Sequence, residues 1–542
     1  MRTNRGWWRV AAFVTAVVVV GAACSDDGSD DTDAPDDGST IVVGAEELPD
    51  VLNPLTSDTS WTSWLVGPAL ARGYQVQPDF TYEPWLFEDD CTVDSDEPFT
   101  VSCRIREDAT WSDGTSVTAD DFEFTYETMI DPDNLVWSTF GYEFVTTFDV
   151  TSPTEFSLTF DEPFAAYRDL WASGTAILPK HVLEGTDFNT VWNECICDPD
   201  SGDAIGSGPF LVESFQPDER VVLEKNDGYW DGEPKSDRVE FVLTPDTDAE
   251  VNELDAGDVD LIAPQESIDL RERIEAIDGA VFETGLGSSF EHLDLLTTTP
   301  GLDDPVVRQA IVTALPRQQI VDTVARPTND DVTVLDNSIY VTNQAEYVPN
   351  WSIYPASGDL GAAASMLDAA GWVSDGGVRA RDGVELSFTL GTTSGNEGRE
   401  LAEQIIQEQL AEIDIAIEIE NADDFFDRVD AFEYPMALYA FDATPDPSWA
   451  AEVYTTDGAL NGTAQSNEEV DALLAQANTE TDPDARAATV NAADRTMAES
   501  VVSVIPLYQK PAVIGLRGVT GVVINATLEG FTWNIEDWER SG

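Results

Sequence analysis

The chain has 542 residues, 42 % of them hydrophobic and 10 % aromatic, and a formal net charge of −79. This length exceeds what one hydrophobic core normally serves, so two or three lobes are expected, and the apolar content excludes a disordered chain. The charge excludes a nucleic-acid binder and a polybasic grip on anionic lipid, both of which need clustered Lys and Arg; it reads as a solvated acidic surface.

Residues 1–23 read as an export signal: Arg2, Arg5 and Arg9 precede the apolar run Val10–Val20 and the small residues Gly21, Ala22 and Ala23. The run is too short for the roughly 20 residues that cross a bilayer. Because Cys24 follows directly, the segment resembles a lipoprotein signal, which implies a lipid on Cys24. Residues 24–39 form an acidic tether, in which Ser25–Ser39 has seven aspartates and no large apolar side chain to pack. Its Asp-x-Asp spacing lacks the closing glutamate of a calcium loop, so no metal site is assigned.

Folding begins with a strand at Thr40–Gly44, followed by the Leu52-Asn53-Pro54 turn. Trp61 and Trp64 stand three apart, on one face of a helix, where core packing and ligand contact are both open. Phe99–Arg106 alternates like a strand, Asp113-Gly114 turns, and Thr118 with Asp120 and Asp121 starts a helix. Beyond Cys24 the cysteines of an exported chain should pair. Cys91 with Cys103 and Cys195 with Cys197 is the first choice, and cross pairs are the alternative. A metal role for Cys195 and Cys197 would need further ligands, and His181 and His292 are not near them in sequence.

The most informative stretch is Ile205–Gly232. Gly206 and Gly208 permit backbone angles that a side chain would forbid, and Pro209 pushes Gly208 towards an extended conformation, so a strand should start near Phe210. Gln216-Pro217-Asp218-Glu219 is a turn tetrad, Val221–Lys225 the returning strand, and Tyr229-Trp230 an aromatic plug. This Gly-Ser-Gly-Pro-Phe turn, hairpin and Asn-x-x-Tyr-Trp-x-Gly series resembles the signature of the family 5 extracellular solute-binding proteins, the peptide- and nickel-binding receptors of ABC importers. The Arg106–Asp121 strand, turn and helix, the Glu253–Leu261 segment, His292–Val324 and Ala362–Trp372 are similar to further hallmarks, so the resemblance covers roughly residues 41–538. Pro316 stands where relatives carry an acidic or amide residue and should end or kink the preceding helix; Gly371 should cap another. Val384–Leu390, Leu401–Ile413 and Ile415–Ile419 alternate strand, helix and strand, as an α/β lobe does.

The resemblance implies an α/β fold of the periplasmic-binding-protein type, with two main lobes, a hinge and an inserted third subdomain. The expected division is lobe I at 40–80, 205–288 and 511–542, the subdomain at 81–204, and lobe II at 289–510. It implies a membrane-anchored receptor that binds an oligopeptide or dipeptide in a hinged cleft and delivers it to a permease and ATPase pair. A non-peptide solute (chelated metal, opine or sugar) and a signalling or adhesion lipoprotein without transport remain open. The expected place is the outer face of the cytoplasmic membrane, and the expected state is a monomer without cofactor. The expected ligand edges are Ser57 with Trp61, and Tyr439, Asp442, Asp446 and Trp449. Asp446-Pro447 matches the family's ligand-bordering Asp-Pro and Asp442 competes with it; the residues alone also allow Asp446 to cap a helix entered at Pro447. No Gly-x-Ser-x-Gly, His-Glu-x-x-His or phosphate loop occurs, and two histidines leave little material for an active site, so an enzyme is not expected.

Overall fold

The computed structural model describes residues 40–57, 59–172, 174–265, 267–374 and 376–541. The export signal, the lipid on Cys24 and the tether lie outside the described residues. Ten strands join one sheet, in the order Ala416–Ile419, Ser387–Gly391, Met436–Asp442, Ala280–Leu295, Val504–Arg517, Leu261–Ile262, Thr40–Ala45, Arg238–Leu243, Arg220–Lys225 and Phe210–Gln216. Thr40–Ala45 runs parallel to both its neighbours, and so does Ser387–Gly391. The β-branched run Thr40–Val43 suits that central place, where Ile41 and Val43 are fully buried.

The two long strands, Ala280–Leu295 and Val504–Arg517, are antiparallel partners whose register shifts between Leu286 and Phe290 and again between Glu291 and His292. One apolar core gathers side chains from Ile41 to Phe241 and from Ile514 to Trp538, and a second gathers those from Leu293 to Tyr508. Val504–Arg517 passes from the second core into the first, and Ala280–Leu295 runs from a third, smaller cluster around Ile262 and Leu270 into the second, with the register break between. A second, four-stranded antiparallel sheet is built from Thr92–Asp96, Phe99–Arg104, Glu155–Phe160 and Val145–Ser152. Its buried faces belong to the first core, which they share with Ile41, Val43, Val239 and Phe241 of the large sheet. Cys91 and Cys103, on two extended segments of that region, are disulfide-bonded, as are Cys195 and Cys197.

Local signals act where the residues predict, with one change of reason. Thr118 and Asp121 form a capping box at the start of helix Ala119–Ile130. Helix Pro305–Ala314 stops before Pro316, and Gly371 follows helix Leu360–Ala369 with φ +85°. In the Phe210–Gln216 and Arg220–Lys225 hairpin, Asp218 takes the left-handed conformation after Pro217. Gly206 and Gly208, however, are not left-handed. They are needed because a Cβ on them would lie 2.4 Å from the Ala69 carbonyl oxygen and 2.3 Å from that of Pro68. Ser207 and Gly208 N–H donate to Ala69 O, and Phe210 N–H donates to Pro68 O, so the turn is fastened backbone to backbone. The Trp230 indole then donates to Ser207 O at 2.9 Å, which makes the aromatic plug a polar tie as well.

Candidate solute site

In α/β sheets, loops at the carboxyl ends of parallel strands are where ligands bind. Here four such ends open into one cleft of about 820 Å³. Glu46 follows Thr40–Ala45, Pro245–Asp248 follow Arg238–Leu243, and Gln265 follows Leu261–Ile262; across the long strands, Thr393–Arg399 follow Ser387–Gly391. The register-broken strands close the back with Glu291 and its cross-strand partner Tyr508. Each wall starts a helix at the cleft. Asp246 accepts from Ala249 N–H to begin Thr247–Ala256, and Asn396 accepts from Arg399 N–H to begin Glu397–Ala411.

Six carboxylates and two guanidinium groups line the cleft, and both guanidinium groups are engaged. Arg399 Nε lies 3.0 Å from each oxygen of Glu291, which is 2 % exposed, and Lys510 Nζ approaches the same carboxylate at 3.8 Å. Arg273 meets Asp248 at 2.7 Å and Asp269 at 3.9 Å. Thr247 donates its hydroxyl to Glu46. Behind this wall Glu250 is fully buried; burial and then the charge of Glu46 push its carboxyl up to about 9, so it is neutral at pH 7. The cleft therefore presents hydroxyl, amide and carboxylate groups that favour neutral and cationic solutes over anionic ones.

The residues singled out from the sequence stand elsewhere. Ser57 bonds the hydroxyls of Thr59 and Thr62. Trp61 packs edge-on against Trp64, 5.1 Å between centroids, and against Phe531 at 6.1 Å, which is a packing role. The Tyr439 hydroxyl donates to Asp294 at 2.7 Å, and Trp449 packs among Phe290, Phe441 and Tyr454. Asp442 is exposed at the end of its strand and accepts from the Ser288 and Ser289 hydroxyls beside the register break. Asp446 is buried. Burial opposes its charge, but Arg486, bonded to both its oxygens, and Ser448, through its N–H, hold the carboxyl below its usual range. That N–H bond sits just ahead of helix Trp449–Tyr454, whose cap residue is Ser448.

Sequence reading assigned a ligand role to none of the residues that line the large cleft. The available signal was a strand, a polar loop and an Asn-capped helix over Ser387–Ala411, read with the carboxyl-end rule.

Residues 81–462 match the family described as "Bacterial extracellular solute-binding proteins, family 5 Middle". The oligopeptide-binding protein AppA of Bacillus subtilis is 27 % identical over 434 residues, 76 % of each chain. Among solved structures, the periplasmic EDTA-binding protein EppA superposes with a TM-score of 0.82 at 22 % identity, over 93 % of this chain and 97 % of the other. Bacillus subtilis AppA in complex with a nonapeptide superposes with a TM-score of 0.72 at 23 % identity, over 93 % and 99 %. With two cores joined by register-broken strands and a cleft at the carboxyl ends of parallel strands, the chain belongs to the family 5 bacterial extracellular solute-binding proteins.

Proposed function

We propose that this protein is the receptor of an ABC importer, held outside the membrane by a lipid on Cys24, which binds oligopeptides or dipeptides between its lobes and presents them to a permease. The observation that carries this reading is the cleft of about 820 Å³ fed by strand ends from both sides of the register break. Bending at that break opens and closes the cleft, and solute stabilises the closed form by its differential affinity for it. The permease then selects the closed form.

Peptide is favoured over an anionic chelate because the cleft carries an excess of carboxylates and both its guanidinium groups are engaged. The hydroxyl and amide groups of Thr393, Ser394, Asn396 and Gln265 suit a peptide main chain, with side chains in hydrated pockets. Asp446, committed to Arg486, is assigned no ligand role; of the Tyr439–Asp446 edge, Asp442 is the carboxylate open to solute. Isothermal titration against a library of short peptides tests the reading: binding of members of the library is expected, and binding of none would sink it.

A further inference from the structure

The two disulfides stand in opposite surroundings. Cys91 and Cys103 are 5 % and 4 % exposed, lie in the first core and close a separation of 12 residues. Cys195 and Cys197 are separated by only 2, and Cys195 is exposed while Cys197 is half-buried. The stability that a bridge contributes by constraining the unfolded chain grows with the loop it closes, so the second bridge contributes least to the fold. An exposed bridge of that kind is the one that thiols open, whereas a buried one resists.

Opening it leaves its frame in place. Ile196, between the two cysteines, is fully buried, and its carbonyl accepts from Ile205 N–H at 3.1 Å. Trp192, also fully buried, donates its indole N–H to Cys197 O at 3.1 Å. Asp198 N–H donates to Asp203 O, and Leu52 N–H donates to Asn193 O from the far end of the chain. None of these ties passes through sulfur. The two thiols of an opened bridge therefore stay side by side, placed so that one can attack whatever the other has captured.

Carboxylates surround the pair. Glu194 precedes Cys195, Asp198, Asp200 and Asp203 follow Cys197, and no Lys or Arg occurs between residues 191 and 205. Such a field repels anionic thiolates and draws in molecules that carry a cationic group.

We propose that Cys195–Cys197 is a thiol–disulfide exchange site for small thiols that are neutral or carry a cationic group. A thiolate attacks the exposed Cys195 sulfur, forms a mixed disulfide there and releases Cys197 as a thiolate, which takes a proton from water. A second thiolate attacks the captured sulfur and releases Cys195, which is protonated in turn. Two small thiols are thereby oxidised to one disulfide, and the bridge is reduced by two electrons. The same steps reversed, with a low-molecular-weight disulfide as oxidant, close the bridge again. Neither cysteine lines the cleft, so the exchange site stands apart from the receptor reading.

Incubation of the exported protein in buffers of graded cysteamine-to-cystamine ratio, followed by acid quench, alkylation and peptide mapping by mass spectrometry, tests the assignment. Cys195–Cys197 should open at a ratio about tenfold or more below that for Cys91–Cys103, while near-UV circular dichroism still reports a folded chain. Cys197→Ser, which leaves Cys195 alone, should capture cystamine about tenfold faster than Cys195→Ser does. At low salt and equal thiolate concentration, cysteamine should open the bridge about tenfold faster than glutathione, an anionic thiol, and about 1 M salt should narrow that gap. Opening of both bridges together, or of neither before the chain unfolds, overturns the exchange site. Equal capture by the two variants overturns Cys195 as the attacked sulfur, and equal rates for the two thiols at low salt overturn the selection by charge.

Discussion

Replacing Glu250 by Gln should stabilise the protein, and increasingly so as pH rises. The carboxyl sits fully buried on helix Thr247–Ala256, where burial, then the charge of Glu46, lift it from 4.5 to about 9. The unfolded chain keeps the ordinary value, so between these limits the folded state binds the proton more tightly. Stability is then fully present below 4.5 and is lost as pH rises towards 9, at about 1.4 kcal/mol per pH unit. By neutral pH this costs roughly 2–3 kcal/mol, allowing for local relaxation and water entry. Gln has the same shape and no charge to lose. Urea unfolding of both proteins at about pH 5, 7 and 8.5 measures the difference through their midpoints. The gap should be near zero at the acid end and widen with pH. A gap that is constant with pH would mean that Glu250 holds no proton in the folded state, and the electrostatic account of the cleft wall would fail with it.

The buried Asp446–Arg486 pair predicts the opposite sign: Arg486→Met leaves a carboxylate uncompensated and should cost about 3–5 kcal/mol by denaturant midpoint, while replacing both partners with apolar residues should cost far less. Gly208→Ala sets a methyl group 2.3 Å from the Pro68 carbonyl oxygen and should cost at least about 2 kcal/mol in thermal unfolding; a neutral result would show that the turn can shift. Removing the Cys91–Cys103 bridge, which closes a separation of 12 residues, should cost about 3 kcal/mol. Cys24→Ala should release the protein into the medium, and retention on the membrane would refute the lipid as the main tether.

The framework was readable because its signals are local. A capping box at Thr118 and Asp121, a proline at 316 that stops a helix, and a turn tetrad at 216–219 each act within a few residues, so sequence alone places them. Even there the reason for Gly206 and Gly208 was hidden, since the carbonyls they must avoid, Pro68 and Ala69, lie well over a hundred residues earlier in the chain. The cleft was harder still. Glu46, Gln265 and Arg399 meet only because three distant strands end at one edge, and of the three only Arg399 follows a local signal, the strand, polar loop and Asn-capped helix over Ser387–Ala411. Asp446 looked free to meet a ligand because Arg486, forty residues on and on another helix, carries no local sign of pairing with it. With 105 acidic residues against 26 basic ones, the few that hold a cationic partner can be found only in three dimensions.

The central claim is that the interlobe cleft carries a peptide. Native mass spectrometry of the exported protein, purified without denaturation, tests it directly. Bound species whose masses and fragments are those of short peptides are expected. A chelated metal, a sugar or an opine in their place would contradict the peptide claim, and a chain that never carries solute and takes up no added peptide would contradict the receptor function itself.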